Sequence, residues 1–475
     1  MTKPNIIFIL VDDLGWGEPG CYGNPLNETP HIDAMAKAGM QFTNAYASST
    51  VCSPSRAGLM TGQTPPRIGI TDYLRPDAEW HIPLKEGGFL DNELPEDTDY
   101  HLKPNLVVMP QMFQKCGYST GMIGKWHLSG YDENGVKHGP EKYGFDDVSI
   151  SEQVGIGPGS YFHPYKHVDP DIEPVLGENE FLVDRMNHEA VEFIRKHKDG
   201  PFFLYLSHYA VHTALAGRRE DVDYFSAKAG CIDVPYDKRA WLPERNPVLS
   251  AMLKSIDDGV GMIRQTLTKL GIDKNTMLVF TSDNGGEARV TVNGHLRDGK
   301  SSTYEGGLRV PVVVECPAMT PQGWVTDVPT INLDFYPTFA QLIGYDIPGE
   351  HVTDGESILS LFRGDEDTEM LTRRLFSWHY PLQEPHFLGG RSSAANRKNN
   401  HKYIHFFDDG TDELYNLKED ESETTNLVAT HSEKRDEHRI LLRNWITEVE
   451  GSVPAGQTGL PTATTIPGSS KYDNN

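Results

Sequence analysis

Asn5-Ile6-Ile7-Phe8-Ile9-Leu10-Val11-Asp12-Asp13 opens the chain with an apolar run that stops at two adjacent carboxylates. A run without polar alternation fits a parallel strand buried on both faces. Carboxylates at the end of such a strand are costly unless solvated or neutralised. A hard cation held by oxygen ligands neutralises them; a solvated turn is the alternative. The same punctuation recurs. A strand at Ser119–Ile123 runs into Gly124-Lys125-Trp126-His127, and one at Phe202–Leu206 into Ser207-His208, with His212 further on. A strand at Thr276–Thr281 runs into Asp283-Asn284-Gly285-Gly286. Ligands bind beyond the carboxyl ends of strands in open parallel sheets. Asp12, Asp13, Lys125, His127, His208, His212, Asp283 and Asn284 are therefore expected along one edge.

Between these strands the sequence predicts helices from Pro30 to Gly39, from the Cys52 segment to about Gly62, and over Pro104–Lys115, Glu178–Lys196 and Pro247–Leu270. A further strand is expected near Val310–Val314. The fold class is α/β: a large, mostly parallel sheet flanked by helices, with a smaller C-terminal antiparallel sheet subdomain. The texture changes beyond about residue 365. Short strands are expected at Arg374–Tyr380, Lys402–Phe407 and Glu413–Asn416, then a helix over Ser432–Glu450 and a coil tail. The expected division is a catalytic domain, 1–365, and a C-terminal α+β subdomain, 366–475.

The 475 residues are 37% hydrophobic and include 45 Gly and 32 Pro, a loop-rich globular composition with room for one large domain and one smaller. A net charge of −25 argues against nucleic acid and requires any anionic substrate to meet a local basic pocket. Five cysteines, widely spaced and without a CxxC pair, show no zinc motif or dense disulfide framework, and leave one or two disulfides open. No apolar run approaches membrane-spanning length and no signal peptide precedes the first strand. The expectation is a periplasmic or secreted protein without its leader here, or a cytoplasmic one.

Val51-Cys52-Ser53-Pro54-Ser55-Arg56 sets a cysteine where a loop enters a helix. Pro54 suits a first helical turn, the free N–H groups there favour an anion, and Arg56 adds a permanent charge. An ordinary buried cysteine is the plain alternative. Asp12, Asp13, Asp283 and Asn284 form an all-oxygen set that suits calcium or magnesium over zinc or copper. Arg56, Lys125 and Lys300 supply fixed positive charge, and His127 and His212 supply acid–base groups. Such a set points to phosphoryl or sulfuryl transfer. A thiolate is too soft for that company, so Cys52 calls for conversion into an oxygen nucleophile.

Cys52-Ser53-Pro54-Ser55-Arg56 matches the Cys-x-Pro-Ser-Arg signature of the type I sulfatases in the alkaline phosphatase superfamily, and the chain resembles that family over nearly its whole length. Asp12 to Gly17, Gly124 to His127, Ser282 to Gly286, and Gly299-Lys300 through Tyr304 to Gly307 fall in family order. The resemblance implies that a maturation enzyme, formylglycine-generating or anaerobic, oxidises Cys52 to Cα-formylglycine, whose hydrate attacks sulfur and later expels sulfate. It implies a Ca2+ site, with Mg2+ as the alternative, made by Asp12, Asp13, residue 52, Asp283 and Asn284. Arg56 and His127 would steady the formylglycine, Lys125 and Lys300 the sulfate oxygens, and His212 would protonate the leaving oxygen. Two departures stand out: His212-Thr213-Ala214 replaces the usual His-Thr-Pro, and Glu18 a common Asp.

Among sulfatases the chain resembles bacterial carbohydrate enzymes, so the expected substrate is a sulfated poly- or oligosaccharide of algal or host origin. His163 and His167 in the 131–175 loop, and His379 and Arg391 with Arg397 near the C-terminus, are candidate sugar contacts. Alternatives are a phosphodiesterase or phosphonate monoester hydrolase of the same superfamily, and a non-catalytic sulfoglycan-binding protein with unconverted Cys52.

Overall fold

A computed structural model describes residues 3–74, 101–131, 137–151, 159–165, 168, 172–365 and 374–460. Strand β1 (Asn5–Val11) is buried throughout. It lies at the centre of a nine-stranded sheet that also contains β2 (Met40–Tyr46), β3 (Ser119–Gly124), β4 (Asp147–Ser149), β5 (Phe202–Ser207), β6 (Thr276–Ser282), β7 (Arg309–Glu315) and β8 (Trp324–Thr326). The order is β8-β2-β7-β6-β1-β5-β3-β4, and Thr330–Ile331 also pairs with β2. β1 runs parallel to both β5 and β6, and β3 to β5 and β4. β7 alone reverses, antiparallel to β6 and β2.

The period of two along β1 explains its apolar run. Ile6, Phe8 and Leu10 enter one core with Leu59 and Met60 of α2 (Cys52–Thr61), Phe113 of α3 (Met109–Lys115) and Phe339 of α4 (Phe335–Ile343). Ile7, Ile9 and Val11 enter the opposite core with Met35 of α1 (Pro30–Ala38), Met186 of a helix at Leu182–His197 and Ile256 of one at Pro247–Leu270. Both faces are covered, so polar alternation has no place on this strand. The Pro247–Leu270 helix begins on its capping signals. The Asn246 side chain accepts from the N–H groups of Val248 and Leu249, Pro247 sits at the start, and Gly271 closes it at φ 70°.

Three expectations are corrected. The helix expected from Pro104 begins at Met109. Pro110 lacks an N–H and its ring obstructs a preceding turn, so it fits only the helix's first turn. Two strands carry too few apolar residues to stand out, β2 and Ser393–Lys398, and both are absent from the sequence reading. All five cysteines are free thiols.

A second, four-stranded antiparallel sheet joins β9 (Leu375–Tyr380), β10 (Ser393–Lys398), β11 (His401–Phe406) and β12 (Asp412–Asn416) in that order. One face packs Trp378, Ala395 and Ile404 onto Tyr46 and Leu308 of the main body. The other packs Ala394, Tyr403 and Leu414 against Leu442 and Ile446 of the last helix, Ser432–Glu448. The proposed boundary at 365/366 falls at the edge of the described residues, and the expected coil tail is described over 451–460, where it forms no helix or strand. Among the described residues, no helix is long and apolar enough to cross a membrane.

Candidate active site

Parallel strands deliver their C-terminal residues to one edge, and β7, running the other way, starts there. Asp13 and His127 each turn off a strand end with positive φ, 60° and 57°. Side-chain-bearing residues seldom adopt that conformation, and Asp and His tolerate it better than most. At Gly124, φ is 98° and a Cβ would stand 2.1 Å from the Ser207 carbonyl oxygen, so β3 passes β5 closely only as glycine.

The buried Arg56 organises the centre. Its Nε donates to Asp283 Oδ2 at 2.8 Å, Nη1 to the Lys125 carbonyl at 2.8 Å and to Ser207 Oγ at 2.7 Å, and Nη2 to Asp12 Oδ1 at 3.3 Å. Lys125 Nζ lies 2.7 Å from Asp12 Oδ2, and Lys300 Nζ 2.7 Å from Asp13 Oδ2. Asn284 Nδ2 donates to Asp13 Oδ1 at 2.8 Å, while its buried Oδ1 has no hydrogen-bond partner among the described residues. Cys52 begins α2 after the extended Val51, with Pro54 in the first turn. One ligand atom each from Asp12, Cys52 and Asp283 lies within 4.8 Å of the others.

Electrostatics separate these groups. Burial works to raise Asp12, but Lys125, His212, Arg56 and Lys300 outweigh it and hold the carboxyl well below its usual range. Burial prevails at Asp283, pushing it up to about 7 against the pull of Arg56. Burial also pushes the Cys52 thiol up to about 12, so it stays protonated and makes a poor nucleophile. Burial, then Lys300, lowers His212, keeping its imidazole neutral. Its Nδ1 meets the Thr213 carbonyl at 2.5 Å, and its Nε2 lies 3.7 Å from Asp13 Oδ2. His208 is buried, pushed down to about 3 by desolvation. It has no side-chain hydrogen bond to the cluster.

The edge thus brings together Asp12, Asp13, Cys52, Arg56, Lys125, His212, Asp283, Asn284 and Lys300. His127 joins from the rim, its Nε2 at 2.6 Å from the Leu74 carbonyl. The described candidate sugar contacts have partners of their own. His163 packs edge-on against Tyr165, and His167 lies outside the described residues. His379 points to the far side of β9, to the Ser452 carbonyl at 2.7 Å, because its neighbours Trp378 and Tyr380 take the near face. Arg391 is occupied by Asp408 at 2.8 and 2.7 Å and by Asp409 at 2.7 Å.

Sequence reasoning missed several supports. Ser207 Oγ ties Arg56 to the Lys125 carbonyl. Tyr161 Oη donates to the Tyr209 and His212 carbonyls at 2.9 and 2.7 Å. Asn293 clamps the Lys300 loop through the Gly286 N–H and carbonyl at 2.8 and 2.9 Å. Tyr380 stands behind Val51 with Leu382. Ser207 directly follows an apolar strand, a signal that could have marked it; the others act across loops and carry none.

A sulfatase family model matches residues 4–345, so this chain belongs to the sulfatase family. It is a sulfate ester hydrolase. A second model, described as N-sulphoglucosamine sulphohydrolase, C-terminal, matches residues 296–449. Human steryl-sulfatase is 28% identical over 443 residues, covering 76% of this chain and 70% of that protein. Rat N-acetylgalactosamine-6-sulfatase is 32% identical over 394 residues, covering 75% and 65%. Ps i-CgsB in complex with k-i-k-neocarrahexaose superposes with a TM-score of 0.76 at 28% identity, covering 97% of this chain and 96% of that one.

Proposed function

We propose that the chain removes sulfate from a sulfated carbohydrate, using Cys52 converted to formylglycine and a bound calcium ion. The carrying observation is the convergence of Asp12, Cys52 and Asp283 beside the unsatisfied Asn284 oxygen. The donor set fits a hard cation: with Asp13 it offers carboxylates and an amide oxygen. Residue 52 joins it as an oxygen donor only after conversion. Burial lifts Asp283 to about 7 against the pull of Arg56, and a cation beside it would favour its carboxylate form.

Charge counting supports an anionic substrate. Asp12, Asp13 and Asp283 are matched by Arg56, Lys125 and Lys300. A divalent ion tips this balance to positive, and a sulfate monoester answers it. Calcium would supply Lewis acidity at the sulfate oxygens, and the aldehyde hydrate an oxygen nucleophile that the protonated thiol is not. Arg56 fixes residue 52 by holding Asp12 and Asp283 to the start of α2. Lys125 and Lys300 reach sulfate oxygens and offset charge that develops in the transition state. With Nδ1–H on the Thr213 carbonyl, His212 presents Nε2 to the leaving oxygen and, once protonated there, delivers the proton.

A carbohydrate is supported by the sugar names carried by two of the similar proteins, and the steryl-sulfatase likeness supplies the competing ester. Sulfate release from defined sulfated oligosaccharides, steryl sulfate and a matched phosphodiester tests the reading. Turnover is expected on the oligosaccharides; turnover confined to steryl sulfate or the phosphodiester would overturn it.

A further inference from the structure

Trp241, Arg289 and Phe387 come from three separate segments and meet at the surface. Trp241 precedes the Pro247–Leu270 helix, Arg289 follows the Asp283-Asn284 turn, and Phe387 sits in the turn between β9 and β10. Trp241 and Phe387 are 49% and 56% exposed, among the largest apolar groups left in water here. Arg289 lies between them, its Cζ 5.9 Å from the Trp241 ring centre and 5.6 Å from that of Phe387. Its Nε is held by Glu287 Oε1 at 2.5 Å, and among the described residues no hydrogen bond or ion pair engages its Nη groups.

The group is tied to the catalytic edge on two sides. Glu287 is buried, and its other oxygen accepts from Thr213 Oγ1 at 2.8 Å, one residue beyond His212. The Phe387 turn is closed by the His386 N–H donating to the Gly390 carbonyl at 2.8 Å. At Gly390 a Cβ would stand 1.9 Å from the Ser301 carbonyl oxygen, so this turn packs directly on the residue after Lys300.

We propose that Trp241, Arg289 and Phe387 form a binding subsite for the sugar residue next to the one being desulfated, and that this neighbouring sugar carries its own anionic group. The inference rests on the carbohydrate reading above. The C–H face of a sugar ring is apolar and suits an exposed aromatic platform. A guanidinium held at Nε keeps its paired Nη donors for a sulfate or carboxylate. In a chain of net charge −25, an exposed arginine between two aromatic rings is a local exception that such an anion would match.

The test compares Trp241→Ala, Phe387→Ala and Arg289→Ala on sulfated tetrasaccharides and on 4-nitrophenyl sulfate, which is too small to reach the platform. The tetrasaccharides carry a sulfate, a carboxylate or no charge on the neighbouring sugar. Each variant should lower the ratio of kcat/KM for the charged tetrasaccharides to that for the aryl ester by roughly tenfold, through KM. Arg289→Ala should also abolish the preference for a charged neighbour, the sulfate and carboxylate arms showing which anion it reads, and Trp241→Phe should recover most of the loss. Ratios within about twofold of wild type in all three alanine variants would overturn the subsite while leaving the carbohydrate reading intact. A wild type that cleaves the aryl ester and no glycan would remove both.

Discussion

Two buried charge clusters lie on either side of the Lys300–Glu305 segment, and they are built to opposite ends. At the sheet edge, Asp12, Asp13 and Asp283 face Arg56, Lys125 and Lys300, yet an Asn284 oxygen stays unsatisfied and Asp283 is pushed up to about 7. Behind it, Lys402 Nζ lies 2.9 Å from Glu305 and 3.0 Å from Glu423, all fully buried, and Arg309 and the Tyr46 hydroxyl add to Glu305. Burial opposes Glu305, but Lys402, Arg309 and Arg397 hold it down at about 2. The second cluster fastens the C-terminal sheet to the main body as an ion-pair network, although burial pushes Glu423 up to about 7 and its Oε1 accepts no hydrogen bond among the described residues. The first marks a place for a ligand. Buried charge and an unsatisfied oxygen occur in both; what separates them is the donor set, since the first brings Asp12, Cys52 and Asp283 within reach of one ion while the second places two carboxylates around a lysine.

The comparison breaks most sharply at residue 52. Cys52→Ala should keep the fold but lose activity by at least roughly a thousandfold, since a methyl side chain offers neither a thiol nor a hydroxyl to oxidise to the aldehyde. Full sulfate release by that variant would refute the aldehyde. At the second cluster, Lys402→Met leaves the buried Glu423 without its cation and Glu305 with Arg309 alone, and should cost about 3–5 kcal/mol in urea unfolding. A variant as stable as wild type would show the fastening to be idle.

Chelation sharpens the contrast from the open side. Dialysis against a chelator should lower the melting temperature, and calcium at about a hundred times its Kd should restore about 2.7 kcal/mol. A melting curve indifferent to both would remove the cation. The smallest effect concerns His438, whose Nδ1 lies 2.7 Å from Asn396 Oδ1. Burial pushes it down to about 3. Its unfolded value is near 6.5, so the unfolded chain takes the proton first. The contribution is whole above about pH 6.5 and fades as pH falls toward about 3. His438→Gln should flatten that part of the stability–pH curve; an unchanged slope would show that other groups set it.

The parallel strands were legible because burial on both faces writes an unbroken apolar run, as in β1, and because each ends in residues too polar for its surroundings. That rule placed Asp12, Asp13, Lys125 and Asp283 together before any coordinates. It had nothing to say about β2 or β10, where Gln41, Asn44, Asn396 and Arg397 interrupt the pattern. Their polar side chains are satisfied across the interface, as when Arg397 Nη1 donates to Asn44 Oδ1 at 2.7 Å. Sugar contacts are illegible in the sequence for a related reason. A histidine or arginine in a loop does not show its partners, and Arg391 was already engaged by Asp408 and Asp409. Trp241 and Phe387 lie in unpatterned segments distant in sequence, so only the fold reveals that they flank Arg289.

The central claim is that the catalyst is made from Cys52 rather than being its thiol. Mass analysis of the proteolytic peptide that contains residue 52, taken from enzyme that releases sulfate, tests it directly. The account predicts a peptide lighter by the exchange of CH2SH for CHO and reactive toward a hydrazide. An unmodified, alkylatable thiol in the fully active enzyme would contradict it.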